Sequence, residues 1–192
     1  MRRQWLVVLF ATSMSLSASA QTTDGGYDKA LSPSLANVAK SMHAMIRRNL
    51  ADAAEGMSEA DFAFRPTAAV RTFGQLVGHI ANSNFFFCSQ AASEQPPTTT
   101  NYEAVVERVR LLAGLTASLA YCDTVYGATT DANFNRPVSM GSGSGMPPTD
   151  TVRGAVLTFN VAHNNEHYGN VVVYMRLRGK VPPSTARAQG AK

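Results

Sequence analysis

The chain has 192 residues, 45% of them hydrophobic and 16% charged, with 17 Lys and Arg against 13 Asp and Glu. That length suits one domain around one core, and no basic run interleaved with aromatic residues points to nucleic acid. Arg2 and Arg3 supply half of the formal +4 charge, so the basic balance says little about partners once the first residues are set aside.

The opening Met1-Arg2-Arg3, the apolar stretch from Trp5 to about Met14 and the small residues Ala18-Ser19-Ala20 have the form of a secretory signal peptide over residues 1–20. The apolar stretch is too short to span a bilayer, and Gln21 stands where a lipid anchor needs cysteine. The expectation is an exported protein, periplasmic or secreted, with no membrane association after cleavage. Residues 21–30 are polar and expected to be disordered, and 31–180 are expected to form the domain.

Leu35, Val38, Met42, Ile46, Leu50 and Ala53 recur at helical spacing, so a first helix is predicted over about Leu35 to Ala54, opened by Ser32-Pro33 and stopped by Gly56. His43 flanks its apolar stripe and reads as surface or core packing. Ser58 to Val70 is a connection with a short helical turn at Ser58-Glu59-Ala60-Asp61. A second helix begins after Arg71 with Thr72 as its cap and runs to about Ala92. Phe73, Leu76, Val77, Ile80, Asn84 and Phe87 mark its apolar face. His79 lies off that face beside Thr72, Gln75, Ser83 and Phe86, a semi-polar surface that suits a cavity wall; a solvated histidine is the plainer alternative.

Ser93 to Asn101, with Pro96-Pro97 and three threonines, is expected to be extended, and a third helix is predicted from about Tyr102 to Tyr126, with Val105, Val109, Leu112, Leu115, Leu119 and Cys122 on one side. Cys88 and Cys122 are the only cysteines, and a disulfide and two buried thiols are both compatible with an oxidising compartment. Antiparallel second and third helices would hold the sulfurs about 30 Å apart. Parallel helices would let them meet, and nine extended residues reach the roughly 30 Å that such a crossover needs. A disulfide therefore implies an all-α four-helix bundle of up-down-down-up connectivity. Gly127 to Asp150 is expected to be a long loop, either a plain surface loop or a lid beside the helix ends.

The fourth helix is predicted over Thr151 to Arg178. At about 100° per residue, Val152, Val156, Phe159, His163, His167, Asn170, Tyr174 and Leu177 fall near one line, which is expected to face the core. His163 and His167, one turn apart, can bring their ring nitrogens to a common divalent ion, while two packed core histidines are the bland alternative. Glu166 is a candidate to orient a ligand or to act as a catalytic base. His79 falls at a similar height if the second and fourth helices are antiparallel, completing a His79, His163, His167 set with an open position. Three imidazoles accept zinc, nickel, manganese, iron or cobalt. Gly179 ends the helix, and residues 181–192 are expected to be a disordered tail.

Thr72-Phe-Gly-Gln-Leu-Val-Gly-His-Ile-Ala, together with His163-Asn-Asn-Glu-His167-Tyr-Gly and Tyr174-Met-Arg-Leu-Arg-Gly-Lys, resembles the DinB-like superfamily over about Leu35 to Pro183. The resemblance implies an up-down-down-up four-helix bundle with a metal on His79, His163 and His167. Relatives include metal-dependent transferases and isomerases that use a small thiol, and many are dimers, so a homodimer and a small-molecule substrate are implied. The same string also fits the H-x-x-E-H pattern of inverted zinc peptidases, whose third ligand is a downstream glutamate. No residue after His167 is acidic. Three readings follow: a metal-dependent hydrolase or transferase, a non-catalytic metal-binding or stress-related binding protein of the same fold, and a purely structural bundle in which the histidines pack without a metal.

Overall fold

The computed structural model describes residues 34–143 and 147–190, so the expected signal peptide and the polar segment at 21–30 lie outside the described residues. Four long helices carry the fold: α1 (Leu35–Glu55), α3 (Phe73–Ala92), α4 (Arg108–Gly127) and α6 (Arg153–Leu177). Short elements join them: α2 (Glu59–Phe62), a 3-10 turn (Tyr102–Ala104), α5 (Asp131–Phe134), β1 (Pro137–Met140), β2 (Thr149–Val152) and α7 (Pro183–Ala188).

Local chemistry sets the helix ends. Ser34 caps α1 through its side chain, and Gly56 follows the last turn. Thr72 and Gln75 form a reciprocal capping box at α3, with Gln75 N–H donating to Thr72 Oγ1 at 3.1 Å and Thr72 N–H to Gln75 Oε1 at 2.9 Å. Arginines close the C-terminal ends, where carbonyls lack intrahelical donors. Arg108 donates to Glu55 O and Met57 O beyond α1, Arg136 to Ala91 O and Ala92 O at the end of α3, and Arg153 to Val125 O near the end of α4.

The two middle helices run the same way. A Cβ on Gly74 would touch Leu111, pairing their first turns, while the Cys88–Cys122 disulfide joins their last turns with the Cα atoms 5.4 Å apart. α6 runs opposite to α3, with Phe73 against Tyr174 at one end and Phe87 against Phe159 at the other. Residues such as Ile46, Phe73, Ile80 and Leu115 fill one half of the core, and Phe87, the disulfide, Tyr126, Leu157 and Val161 fill the other. Each fully buried Ile, Leu or Phe contributes about 1.5–3 kcal/mol relative to exposure.

A polar belt separates the halves. Asn164 Nδ2 donates to Asn84 Oδ1 at 2.8 Å, Asn84 Nδ2 to Ser118 Oγ at 3.5 Å, and Asn160 Nδ2 to Tyr126 Oη at 3.3 Å.

Several elements depart from the sequence reading. The predicted third helix breaks after the 3-10 turn and restarts at Arg108, and Val109, expected on its apolar side, is 73% exposed. The span expected to be a loop from Gly127 to Asp150 holds α5 and the antiparallel β1–β2 pair, with Pro137 opposite Val152 and Met140 opposite Thr149. β2 also takes Thr151 and Val152 from the predicted start of the fourth helix. Residues 183–188, expected to belong to a disordered tail, form α7, held by Ser184 on Tyr168 and by Arg187 on Asp52 and Asn49. Polarity alone suggested a free tail, but its arginine finds a carboxylate on α1.

Candidate metal centre

α6 presents His163 and His167 on successive turns, and α3 faces them with His79. One ring nitrogen from each of the three lies within 4.8 Å of the others, and this is the cluster of metal-ligating side chains found among the described residues. The Nε2 atoms of His163 and His167 stand 3.1 Å apart. The His79 ring centroid lies 5.2 Å from that of His163 and 4.7 Å from that of His167.

The predicted inward line on α6 needs rotating. Phe159 and Leu177 are 40% and 58% exposed, whereas Leu157, Asn160, Asn164 and Val171 are buried. The core therefore lies to one side of the expected line, which places His163 and His167 on its margin. Both are buried, at 8% exposure each.

His79 is half-buried, and its Nδ1 meets Glu103 Oε2 at 3.1 Å. Arg71 Nε holds the other carboxylate oxygen at 2.7 Å, and the Arg71 carbonyl accepts from Tyr174 Oη at 2.6 Å. Glu103 and Arg71 were not among the residues singled out from the sequence. Glu103 lies 24 positions from His79, in a stretch that reads as the start of a helix, and no spacing rule links the two.

Electrostatics keep the rings neutral. Burial, then the neighbouring His167 and His79, push the His163 pKa down to about 3. Burial lowers His79 and His167 as well, with Glu103 and Glu166 pulling against it. Neutral imidazoles offer lone pairs, as a metal requires.

The donor set fits an ion. Two nitrogens bound at ~2.05 Å to one tetrahedral ion stand about 3.3 Å apart, close to the observed separation. The Nδ1 atoms of His163 and His167, on the far side of each ring from that contact, have no hydrogen-bond partner among the described residues.

The remaining candidates are placed as follows. Glu166 is exposed beside His167, and its charge acts on both His79 and His167. Tyr168 turns away and donates to Ser184 Oγ at 2.9 Å. His43 is a core residue, 2% exposed, stacked on Tyr126 at 4.1 Å and bonded to Asp123 at 2.9 Å. A cleft of about 240 Å³ opens between α3 and the crossover, lined by Asn82, Phe86 and Thr98 among others. Asn82 is one turn beyond His79.

The sequence model of the DinB superfamily matches residues 12–171. No curated protein matches the chain by sequence. Among solved structures, a DinB-like protein from Bacillus cereus superposes with a TM-score of 0.59 at 15% identity, covering 72% of this chain and 89% of its own. A DinB-like protein from Bacillus subtilis gives 0.57 at 20% identity, covering 75% and 93%. A histidine-to-alanine mutant of a mycothiol-dependent maleylpyruvate isomerase gives 0.57 at 11% identity, covering 71% and 60%. With the superfamily's sequence pattern running through most of its length and its helices arranged as in these structures, the chain belongs to the DinB superfamily.

Proposed function

We propose that this is an exported metalloprotein that holds one divalent transition metal ion through His79, His163 and His167 and acts as an enzyme on a small-molecule substrate. The observation that carries the reading is the convergence of three imidazoles, two of them with Nε2 atoms 3.1 Å apart. The cluster includes no fourth protein ligand among the described residues, which leaves a coordination position for a substrate. An ion bound there supplies Lewis acidity to that substrate.

The chain's own residues do the rest. His163 and His167 on α6 and His79 on α3 supply the donor set from two helices, and Glu166, exposed beside His167, is assigned the exchange of a proton with a bound molecule. The proposed connectivity is up-down-down-up, supported by the parallel α3 and α4 and by the antiparallel α3 and α6. The Cys88–Cys122 disulfide and the signal-like leader support an oxidising compartment. Small thiols are scarce there, so the likeness to a thiol-dependent isomerase brings a small-molecule substrate to this chain without its thiol.

The test is metal content by mass spectrometry of mature protein purified without chelator or histidine tag, beside a His163→Ala/His167→Ala variant. One equivalent of a transition metal, lost in the variant, is expected. A wild-type protein that stays metal-free after incubation with zinc, nickel and manganese would overturn the proposal.

A further inference from the structure

We infer that Glu103 is a positioning residue for His79, and that the seating of Tyr102 on Gly78 and Gly114 determines where Glu103 stands. The inference rests on the reading above, that the three imidazoles hold a metal. Of these imidazoles, His79 has its Nδ1 on a carboxylate, while those of His163 and His167 have no partner among the described residues. A carboxylate can only accept, so the contact puts the ring proton on Nδ1 and the lone pair on Nε2. His79 is thereby held in the tautomer a ligand needs.

The carboxylate is itself fixed. Arg71 Nε donates to its second oxygen at 2.7 Å, so both oxygens are engaged. The turn that carries it is pinned to α3 one turn beyond His79: Tyr102 N–H donates to Asn82 Oδ1 at 2.9 Å, and Asn82 Nδ2 donates to Asn101 Oδ1 at 2.8 Å.

Two glycines let the turn come this close. A Cβ on Gly78 would stand 2.3 Å from the Tyr102 carbonyl oxygen, and one on Gly114 would stand 2.2 Å from the Tyr102 ring. Neither site accepts a methyl group unless Tyr102 moves, and Glu103 is the next residue. Gly78 also adjoins His79 on α3, so helix, turn and carboxylate form one unit.

The test has two readouts. Zinc affinity, measured by competition with a chromophoric chelator on chelator-stripped protein, should fall about 10- to 100-fold in Glu103→Ala. It should fall less in Glu103→Gln, whose amide oxygen still accepts from Nδ1–H. Gly114→Ala should weaken zinc in the same direction with Glu103 intact. In metal-free protein, nitrogen NMR of the imidazoles should find His79 as the Nδ1–H tautomer in wild type and a mixed population in Glu103→Ala. Zinc affinity within twofold of wild type in both Glu103 variants, or a wild-type His79 carrying its proton on Nε2, would overturn the inference while leaving the metal proposal standing. A wild type that shows the Nδ1–H tautomer but binds no metal would instead sink the metal proposal and with it the ligand role of His79.

Discussion

His163 and His167 bring their Nε2 atoms to 3.1 Å of each other, while the Nδ1 atoms behind them meet no partner among the described residues. The arrangement suits neutral rings and punishes protonated ones. In the unfolded chain a histidine titrates near 6.5, whereas folded His163 is pushed down to about 3. Between those values the unfolded state binds more protons, so stability rises with pH across the window.

The metal-free protein should therefore be at its full stability above about pH 6.5 and lose stability as pH falls toward about 3. His79 and His167 shift in the same direction. Urea midpoints at a series of pH values would check this. A His163→Gln/His167→Gln variant should show a shallower acid slope, with His43, also lowered by burial, keeping part of it. Equal slopes in both proteins would contradict the account.

Cys88 and Cys122 are fully buried where α3 and α4 meet. Closing this 34-residue separation stabilises the fold by about 3–4 kcal/mol on loop-closure grounds. A Cys88→Ala/Cys122→Ala variant should lose stability on that scale in urea. Reductant should leave the folded wild type oxidised and act only as the chain unfolds. Thiol labelling after mild reduction without denaturant checks this, and rapid labelling would speak against it.

Asp61 links the end of α6 to the start of α2. Arg178 Nε donates to one carboxylate oxygen at 2.6 Å, and the Ser58 backbone N–H donates to the other at 3.0 Å. The Arg178 bond first, then those from Ser58, hold the Asp61 pKa down to about 2. The sign is that of a depressed carboxylate: its stabilisation is present above about pH 3.8 and is lost as pH falls toward about 2. Asp61→Asn should cost about 1–2 kcal/mol at neutral pH, the scale of a lost cap and a half-exposed ion pair. It should also flatten acid unfolding between pH 4 and 2, as circular dichroism during an acid titration would show.

Helix identity was legible wherever local chemistry decides it. Thr72 just before the apolar run announces a helix start, and Gly56 and Gly179 announce ends. His163 and His167 were legible for the same reason, since one helical turn brings them together whatever the rest of the chain does. The β1–β2 pair was not, because four residues per strand carry too little alternation to stand out from a Gly-rich loop. α7 was missed because what holds it, Arg187 on Asp52 and Asn49, joins residues more than 130 positions apart.

The sequence by itself determined which side chains share a turn: the capping pairs, the spacing of the apolar residues, and the two histidines of α6. Helical geometry is local, so residue number is enough to compute it. Only the tertiary structure decided which way α6 faces, with Phe159 and Leu177 toward solvent and Asn160 and Asn164 inward, because the neighbours α3 and α1 choose which arc of a helix is covered. It also decided that Glu103 meets His79. That contact depends on a crossover turn packing where two glycines leave room for a tyrosine, and close packing between distant segments has no signature in spacing.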